Sequence, residues 1–357
     1  MLHKSFWKKK KVFITGHSGF KGTWLCLWLN YLGAEVTGYS IDIPTRPSLY
    51  ALTKPSVKTI WADIRNLKKL KAEISKVKPD IVFHLAAQPL VRYSYERPIA
   101  TFETNVLGTA NLLEALRGST VRAAVIITTD KVYENNESGI AFKETDPLGG
   151  YDPYSASKGA AEFIIASYRN SFFNINAYGK KHSTLVSSAR AGNVIGGGDF
   201  AKDRLVPDLV RAMVAGEELL IRNPDAIRPW QHVLESLHGY LLLAQKLYAG
   251  KKEYADAWNF GPKEADVKPV EWIVKKMCAR WGKGTTYSIA QGVHSHEAHY
   301  LRLDITKAMR KLGWRPQWEL EKALDKIIEW TKAYQDKQDV SKVCIKQIRE
   351  YTEGFLR

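Results

Sequence analysis

The sequence predicts an α/β protein built on a doubly wound parallel sheet, with a smaller C-terminal region interleaved with it. Short apolar segments alternate with amphipathic ones up to about Arg190 of the 357-residue chain. The apolar segments have the length of buried strands, and the stretches between them are long enough to hold one helix each. Such alternation is typical of a parallel sheet, because each crossover connection lays a helix on one face of the sheet.

The first two elements carry the clearest signals. Residues 11–15 form an apolar strand, and apolar residues then recur at helical spacing from Phe20 to Leu32. Gly33 follows at a position where helices often end in glycine. Further strands are predicted at 35–41, 59–61, 81–84, 124–128 and 184–189.

Beyond Arg190 the pattern is less regular. A glycine-rich loop at 196–199 is followed by a helix near 205–214, a short strand at 219–221 and a turn at 223–225. We assign residues 1–187 to a nucleotide-binding domain, to which the chain returns near 229–262, and residues 188–357 mainly to a substrate-binding region.

Composition limits the partners and the compartment. The 53 Lys and Arg residues outnumber the 37 Asp and Glu residues, and the formal net charge of +16 favours nucleic acid, anionic lipid or a phosphorylated small molecule. Cys26, Cys278 and Cys344 are far apart and odd in number, so we expect no disulfide framework. No apolar segment has the length of a signal peptide core or a membrane span. We therefore expect a cytoplasmic protein.

Glycines mark the turn between the first strand and the first helix. Gly16, Gly19 and Gly22 allow a tight turn and a close approach of the backbone to a pyrophosphate, which the amino end of the helix attracts. Asp42 follows the second strand, where a carboxylate accepts hydrogen bonds from a ribose diol and disfavours a 2′-phosphate. The sequence therefore predicts NAD, rather than NADP, in a Rossmann-type domain.

Other segments are placed to complete this NAD site. Asp63 follows the third strand, on the side expected for the adenine, and small residues follow the fourth strand, where the cofactor must pass close to the backbone. The remaining predicted cofactor contacts are Phe20, Asp63, Ile64, Leu85, Ala86, Ala87, Tyr154 and Lys158.

A phenol and an amine stand four residues apart on a predicted helix. Tyr154 and Lys158 therefore share one helix face, and a nearby ammonium favours the phenolate, so that Tyr154 can act as a base. Thr129, which follows the fifth strand, can supply a third hydrogen bond.

Together these motifs resemble the extended short-chain dehydrogenase/reductase family, which acts mostly on nucleotide sugars. The resemblance covers nearly the whole chain. Its motifs are T-G-x-x-G-x-x-G at 15–22, H-L-A-A at 84–87, N-V-x-G-T at 105–109, Y-x-x-x-K at 154–158 and R-A-G-N-V-I-G at 190–196. It implies NAD as cofactor and catalytic roles for Thr129, Tyr154 and Lys158. It also implies a homodimer through a four-helix bundle built from helices near 105–117 and 155–170, with a tetramer as an alternative.

Asp130 and Lys131 follow Thr129 directly. Epimerases of the family usually carry Ser-Ser-Ala at this place, whereas its 4,6-dehydratases carry an acid followed by a second proton-handling residue. The segments at 16–22 and 227–232 are most similar to the branch that acts on CDP-glucose. The resemblance therefore implies a lyase that forms a 4-keto-6-deoxy sugar, as used for deoxysugars of cell-surface polysaccharides such as lipopolysaccharide O-antigen.

Water elimination needs both a base at C5 and an acid at the C6 hydroxyl. We expect Lys131 to be the base and Asp130 the acid. Lys131 must then be neutral for part of the cycle and Asp130 protonated when it acts. Adjacent opposite charges favour the two charged forms instead, so which residue is the base stays open.

A nucleotide diphosphate needs cations and polar contacts. Arg228 is the strongest candidate because a guanidinium grips phosphate oxygens in a bidentate manner, and Arg204 is a weaker one. Asn193 resembles the family's asparagine that contacts the sugar diphosphate, Gln88 is placed near the hexose, and Tyr300 near the phosphates. His294, His296, Glu297 and His299 have metal-ligand chemistry, but we expect no metal because the reaction needs none.

Other functions remain open from the sequence. Within the family they are a UDP-N-acetylglucosamine-type 4,6-dehydratase, which also uses Thr-Asp-Lys, and a nucleotide-sugar 4-epimerase, which has no use for Asp130 and Lys131. A different class is a non-catalytic NAD-sensing or nucleic-acid-binding protein, which the +16 charge favours. We expect a nucleotide-sugar partner and neither nucleic acid nor membrane.

Overall fold

A computed structural model describes residues 1–282, 285–290 and 300–356. Its centre is a parallel sheet of seven strands in the order β11-β6-β5-β4-β1-β2-β3. The strands are β1 Lys11–Thr15, β2 Glu35–Ser40, β3 Val57–Trp61, β4 Ile81–His84, β5 Ala123–Ile127, β6 Leu185–Ala191, β7 Val194–Ile195, β8 Leu219–Ile221, β9 Ile227–Pro229, β10 Gln231–His232, β11 Ala257–Phe260, β12 Val267–Pro269 and β13 Tyr287–Ile289. The predicted doubly wound α/β fold is confirmed.

Helices connect these strands. They are α1 Lys4–Trp7, α2 Phe20–Leu32, α3 Leu49–Thr53, α4 Leu67–Val77, α5 Val91–Glu96, α6 Pro98–Phe102, α7 Gly108–Leu116, α8 Pro153–Ser171, α9 Leu205–Ala215, α10 Val233–Tyr248, α11 Val270–Trp281, α12 Leu320–Gln335 and α13 Val340–Thr352. A π-helical turn, Glu103–Leu107, joins α6 to α7. Gly33 ends α2 in the left-handed conformation, with φ of 84°, as its position in the sequence predicts.

Two apolar layers cover the sheet. Helices α4, α7 and α8 bury one face through residues such as Leu70, Leu112 and Ile165, whereas α2 and α10 bury the other through residues such as Trp28 and Leu241. Strand β5 is buried along its whole length because helices lie on both of its faces. The central strands are therefore continuous apolar runs, as expected for a parallel sheet.

A smaller layer extends from the carboxyl ends of β6 and β11. The parallel pair β8–β13 and the antiparallel pair β9–β12 form its strands. Helices α9, α11 and α12 pack around them in a separate apolar cluster that includes Leu209, Trp230 and Ile273. This layer contributes one wall of the cavity described below.

The chain beyond residue 188 also returns to the sheet. Strand β11 pairs with β6 as the seventh strand, and α10 packs across β5 and β6. The C-terminal helix α13 packs on α2, where the rings of Trp28 and Tyr351 lie 5.6 Å apart. Through β11, α10 and α13, much of the C-terminal half therefore completes the nucleotide-binding fold. The sequence pattern does not predict the packing of α13 on α2.

Three sequence expectations concern features outside the sheet. Cys26, Cys278 and Cys344 are free thiols. Within the described residues, no helix is both long and apolar enough to cross a membrane, and no cluster of His, Cys, Asp or Glu has the arrangement of a metal site. The segment with His294, His296, Glu297 and His299 lies outside the described residues.

Candidate active site

A cavity of about 890 Å³ opens at the carboxyl edge of the central sheet. The turns after β1, β2, β4 and β5 line one side, and the loops before α9 and around β8 and β9 line the other. Cavities in doubly wound sheets form at this edge, where successive connections leave the sheet toward opposite faces. The cavity is therefore shared by the sheet and the smaller layer.

The glycine turn after β1 brings three backbone segments together. Gly16 has φ of 73°, and a Cβ there would meet the Ala86 nitrogen at 2.6 Å. A Cβ on Gly22 would meet the Gly16 carbonyl oxygen at 2.1 Å, whereas one on Gly19 would make only an ordinary contact at 3.5 Å. Gly16 and Gly22 are thus required for the packing of β1, α2 and the β4 turn, which leaves the first turn of α2 open to the cavity.

The predicted cofactor residues line one end of this cavity. Asp42 lies two residues beyond β2 with an exposed side chain, and its carbonyl oxygen accepts a 2.5 Å hydrogen bond from the Ser18 hydroxyl. Asp63 accepts hydrogen bonds of 2.9 and 2.7 Å from the Arg65 guanidinium, which holds the pKa of its carboxyl below the usual range. The predicted cofactor residues that line the cavity are Gly16, Gly19, Phe20, Gly22, Asp42, Asp63, Ile64, Leu85, Ala86, Ala87, Tyr154 and Lys158.

Tyr154 and Lys158 lie side by side on the first turns of α8. The Lys158 ammonium donates a hydrogen bond of 3.3 Å to the Ile127 carbonyl oxygen, and burial lowers its pKa to about 8. Burial raises the pKa of Tyr154 to about 12, opposed by a hydrogen bond with Thr129 and by the Arg204 guanidinium. The two residues lie one helical turn apart in α8, as their spacing predicts, and the raised pKa of Tyr154 favours the protonated phenol.

The turn after β5 buries an acid beside the phenol. Asp130 begins the short 3₁₀ turn Asp130–Val132 and is 2 % exposed. Its Oδ1 accepts a hydrogen bond of 2.9 Å from the Thr129 hydroxyl. Its Oδ2 has no hydrogen-bond partner among the described residues and points toward Gly192, where a Cβ would lie 3.1 Å away. Burial raises the pKa of Asp130, so its carboxyl retains a proton at higher pH than usual. Lys131 is partly exposed and lines the cavity.

Cations of the smaller layer face this turn. Arg228 on β9 is 5 % exposed, and its guanidinium donates to the Ile227 carbonyl oxygen at 3.0 Å. Arg204 precedes α9 and forms an ion pair of 3.2 Å with Asp199. Asn193 also lines the cavity, and its carbonyl oxygen accepts a hydrogen bond from the Gln231 nitrogen. These predicted substrate residues are brought together with the Tyr154 and Asp130 groups.

Two predicted substrate residues do not line the cavity. The Gln88 side chain is used within its own loop, where its amide bonds both the nitrogen and the carbonyl oxygen of Leu90 and the Thr101 hydroxyl. Tyr300 lies beside β9 with its nitrogen bonded to the Glu137 carboxylate, and its ring is 41 % exposed. The expectation that Gln88 faces the hexose therefore conflicts with its hydrogen bonding.

Sequence reasoning missed other groups at this site. Lys21 is partly exposed and lies near Lys158 and Arg204, and the loss of water around its ammonium, together with these cations, lowers its pKa to about 7. Arg92 and Asp203 form an ion pair of 2.7 Å between cavity-lining segments of the sheet and of the smaller layer. Lys21 lies inside the glycine motif, among residues expected to face phosphate. A cation at that position could have been identified as a site residue from the sequence alone. Arg92 and Asp203 carry no such signal, because 111 positions separate them in the chain.

Comparisons with known proteins found a matching family and several similar chains. The model of the family described as GDP-mannose 4,6 dehydratase matches residues 13–327. The chain is 48% identical to the CDP-glucose 4,6-dehydratase of Salmonella typhimurium, over 100% of both chains. Two solved structures cover more than nine tenths of it: MoeE5 in complex with UDP-glucose and NAD (TM-score 0.74, 26% identity, 91% of this chain and 99% of that one), and the dTDP-glucose 4,6-dehydratase of Streptomyces venezuelae (TM-score 0.75, 23% identity, 92% and 98%).

We expect Gly22→Ala to weaken NAD binding by at least about tenfold, because the added methyl group displaces the Gly16 carbonyl and with it the turn that faces the pyrophosphate. Isothermal titration calorimetry with NAD would measure the change. Gly354→Ala is the matched control, since a Cβ there meets nothing within 4 Å. Unchanged NAD affinity in a folded Gly22→Ala variant would contradict the assignment of this turn.

Proposed function

Because the chain belongs to the GDP-mannose 4,6 dehydratase family, within the extended short-chain dehydrogenases/reductases, we propose that it is a CDP-glucose 4,6-dehydratase, a hydro-lyase that uses NAD. The observation that carries the reaction type is the buried Asp130 carboxyl, which lines the cavity together with Tyr154 and has one oxygen unpartnered among the described residues. The full-length similarity to a relative of that name supports the cytidine-linked substrate.

The residues at the β1 edge fit NAD. A side chain at Gly16 or Gly22 would collide with the backbone of the turn that leaves the first turn of α2 open, and the exposed Asp42 carboxylate suits an unphosphorylated ribose diol. Asp63 and Ile64 would hold the adenine end, and Leu85, Ala86 and Ala87 the middle of the molecule. When bound, NAD would supply the hydride acceptor for oxidation at C4 and the hydride donor for C6, and the group that took the C5 proton would return a proton to C5.

Tyr154 moves the first proton. Its phenol takes the proton of the C4 hydroxyl, so that the C4–O bond becomes a carbonyl. Thr129 hydrogen-bonds the phenol and orients it, and Lys158 lies one helical turn along α8. Because burial raises the pKa of Tyr154 to about 12, nearby cations such as Arg204 are needed to stabilise the phenolate.

Lys131 and Asp130 carry out the elimination. The C4 carbonyl makes the C5 proton acidic, and Lys131 removes it. The electron pair of the C5–H bond forms the C5–C6 double bond while the C6–O bond breaks, and the Asp130 carboxyl protonates the leaving oxygen, which departs as water. Burial raises the pKa of Asp130, which favours the protonated acid that this step requires.

The cations of the smaller layer suit a diphosphate. Arg228 is buried at the cavity wall beside Asn193, and Arg204 begins the segment that leads into α9. A guanidinium provides planar, bidentate recognition of phosphate oxygens. We assign Arg228, Arg204 and Asn193 to the diphosphate. We assign no diphosphate contact to Gln88, whose side chain holds its own loop, or to Tyr300, which lies beside β9.

Other properties follow the same proposal. The three free thiols agree with a reducing compartment, and we place the protein in the cytoplasm. Ten of the described Lys and Arg residues line the cavity, among them Lys21, Lys158, Arg204 and Arg228, against six Asp residues, so that part of the net positive charge suits a small phosphorylated substrate.

Mass spectrometry of glucose linked to CDP, UDP, dTDP and GDP, after incubation with the protein and NAD, tests the proposal. We expect loss of one water from CDP-glucose, at a rate at least about tenfold above that with the other three. Loss of water from another nucleotide sugar alone would overturn the substrate but keep the chemistry. Conversion to a C4 epimer, or no reaction with any of the four, would contradict the dehydratase.

Lys131→Met should oxidise C4 but not release water, because the methionine fills the same space without a basic nitrogen. Trapping with borodeuteride would reveal the 4-keto hexose, and the C5 proton should not exchange in deuterated water.

The Asp130→Asn variant should still exchange the C5 proton with deuterated water, but it should release water from the hexose more than about a hundredfold more slowly than the native protein. Lys143→Met, on an exposed loop, is the control. Exchange in Lys131→Met with none in Asp130→Asn would reverse the two roles.

We also propose a homodimer through a four-helix bundle. The packed helices α6 and α8 and the π-helical turn expose apolar side chains on one side of the protein: Ile99 is 69 % exposed, Leu107 57 % and Phe163 61 %. Exposed apolar residues grouped on adjacent helices are typical of an interface between subunits.

Light scattering after size-exclusion chromatography should show a dimer for the native protein and a monomer for the Leu107→Glu/Phe163→Glu variant, because each dimer would bury four carboxylates without partners. Ile140→Glu, on a loop and 72 % exposed in the native protein, should leave the dimer intact. A native monomer, or a dimer that survives both charges, would overturn the interface.

A further inference from the structure

Glu162 lies one helical turn beyond Lys158 on α8. Tyr154, Lys158 and Glu162 follow one another at intervals of four residues and therefore share one face of the helix. Lys158 is 7 % exposed and Glu162 is 3 % exposed. Glu162 does not line the cavity that the described residues outline, so it contacts neither the cofactor nor the substrate of the proposed reaction.

Three side chains from two strands hold the Glu162 carboxylate. It accepts a 2.6 Å hydrogen bond from the Thr128 hydroxyl at the end of β5, and a 2.8 Å bond from the Ser188 hydroxyl on β6. The Arg190 guanidinium, also on β6, donates at 3.0 Å. Because Thr128 immediately precedes Thr129 and Asp130, the carboxylate connects the helix of Tyr154 to the turn that carries the acid.

Arg190 keeps this carboxylate ionised. Burial opposes ionisation of Glu162, but the Arg190 charge and the three hydrogen bonds outweigh it, and the pKa of Glu162 is lowered. Arg190 is itself fixed, since it donates to the Tyr133 hydroxyl at 2.8 Å and to the Glu144 carbonyl oxygen at 3.3 Å. The ionised form of Glu162 is therefore favoured beneath the cavity floor.

We propose that Glu162 is a positioning residue for the dehydratase, which holds Lys158 in the ammonium form and fixes the Thr129–Asp130 turn through Thr128. This inference rests on the proposed function. Burial alone favours a neutral Lys158, and the Glu162 charge opposes that effect, which leaves the pKa of Lys158 at about 8. A charged Lys158 is then present at neutral pH and is lost as the pH rises above this value.

Ionisable groups from every packed element surround this pair. The cation of Lys158 disfavours protonation of Lys21 on α2 and of His84 on β4, whose pKa values burial and this charge lower to about 7 and about 3. The charged or ionisable groups that interact with Lys158 are Glu162, Lys21 and His84, and those that interact with Glu162 are Lys158, Arg169 and Arg190. The other cations repel an ammonium, so Glu162 is the anion whose removal should matter most.

Glu162→Gln removes the charge and keeps the shape. In the cofactor-free protein labelled with ¹³C-lysine, the Lys158 signal would be assigned by its loss in Lys158→Met and then titrated by NMR. We expect about tenfold weaker proton binding by Lys158 in Glu162→Gln. Glu162→Asp should keep most of the native affinity. Glu235→Gln is the matched control, because Glu235 is also a buried carboxylate, bonded to Tyr351 and to the backbone at residues 317 and 318.

Glu162→Gln removes the anionic partner of the buried Arg190 guanidinium, and an unpaired buried charge destabilises the folded protein. The double variant Glu162→Gln/Arg190→Met removes both charges together, so a smaller fall in the proton affinity of Lys158, in the same direction, is expected there. An unchanged Lys158 titration in either folded variant would overturn the proposal. This measurement needs neither NAD nor substrate, so it stands apart from the proposed function.

The pH profile of CDP-glucose dehydration gives the second readout. In Glu162→Gln the loss of activity at high pH should begin about one pH unit lower than in the native protein, while activity near pH 6 falls much less. A purely structural role would lower activity by the same factor at every pH, and that result would contradict the proposal. A native protein without any dehydration would refute the proposed function, and the NMR result would still decide the role of Glu162.

Discussion

The parallel register of β1, β4, β5 and β6 is the constraint on which the site depends. Thr15 is paired with His84, His84 with Ile126, and Ile127 with Ala189, so the four strands end at one edge. The glycine turn, the Leu85–Ala87 segment, the Thr129–Lys131 turn and Asn193 each follow one of these ends by a few residues. Since these strands are buried on both faces, packing against two helical layers fixes the register and with it the spacing of the reacting groups.

The cavity brings several lysine and arginine side chains together with a carboxyl that tends to keep its proton, and this combination favours anionic ligands. Burial lowers the pKa of Lys21 to about 7 and that of Lys158 to about 8, and raises the pKa of Asp130. Each group is thus shifted toward its neutral form, as expected for a charge that has lost its water. A diphosphate bound between the lysines would raise their pKa values again, because its negative charge favours the ammonium forms. The positive charge of the chain therefore suits a substrate with a diphosphate.

Local sequence signals predicted the parts of the site that depend on short stretches of chain. The glycine spacing, Asp42 after β2 and the interval between Tyr154 and Lys158 follow from the conformation of one turn or one helix. Gln88 was expected near the hexose, yet its amide is used by its own loop at Leu90 and Thr101, which only the folded loop reveals.

Contacts between distant segments could not be predicted from the sequence. The packing of α13 on α2 and the Glu162–Arg190 pair join parts of the chain whose local patterns carry no sign of each other. Glu162 occupies a buried position on a helix, where a carboxylate is tolerated only because β6 supplies a guanidinium and a hydroxyl. That pairing depends on the sheet register.

Glu162 and Glu235 show that a cationic partner can outweigh burial in setting the charge of a carboxylate in this protein. Burial raises the pKa of Glu235 to about 7, although the Tyr351 hydroxyl and backbone N–H groups donate to it. Glu162 is equally buried, and the Arg190 guanidinium keeps its pKa low. A buried ion pair contributes little more to stability than apolar side chains of the same volume, and often less. The Glu162–Arg190 pair lies beneath Lys158, and an apolar pair at that place could not favour the Lys158 ammonium. The position of the pair therefore fits an electrostatic role better than a contribution to packing.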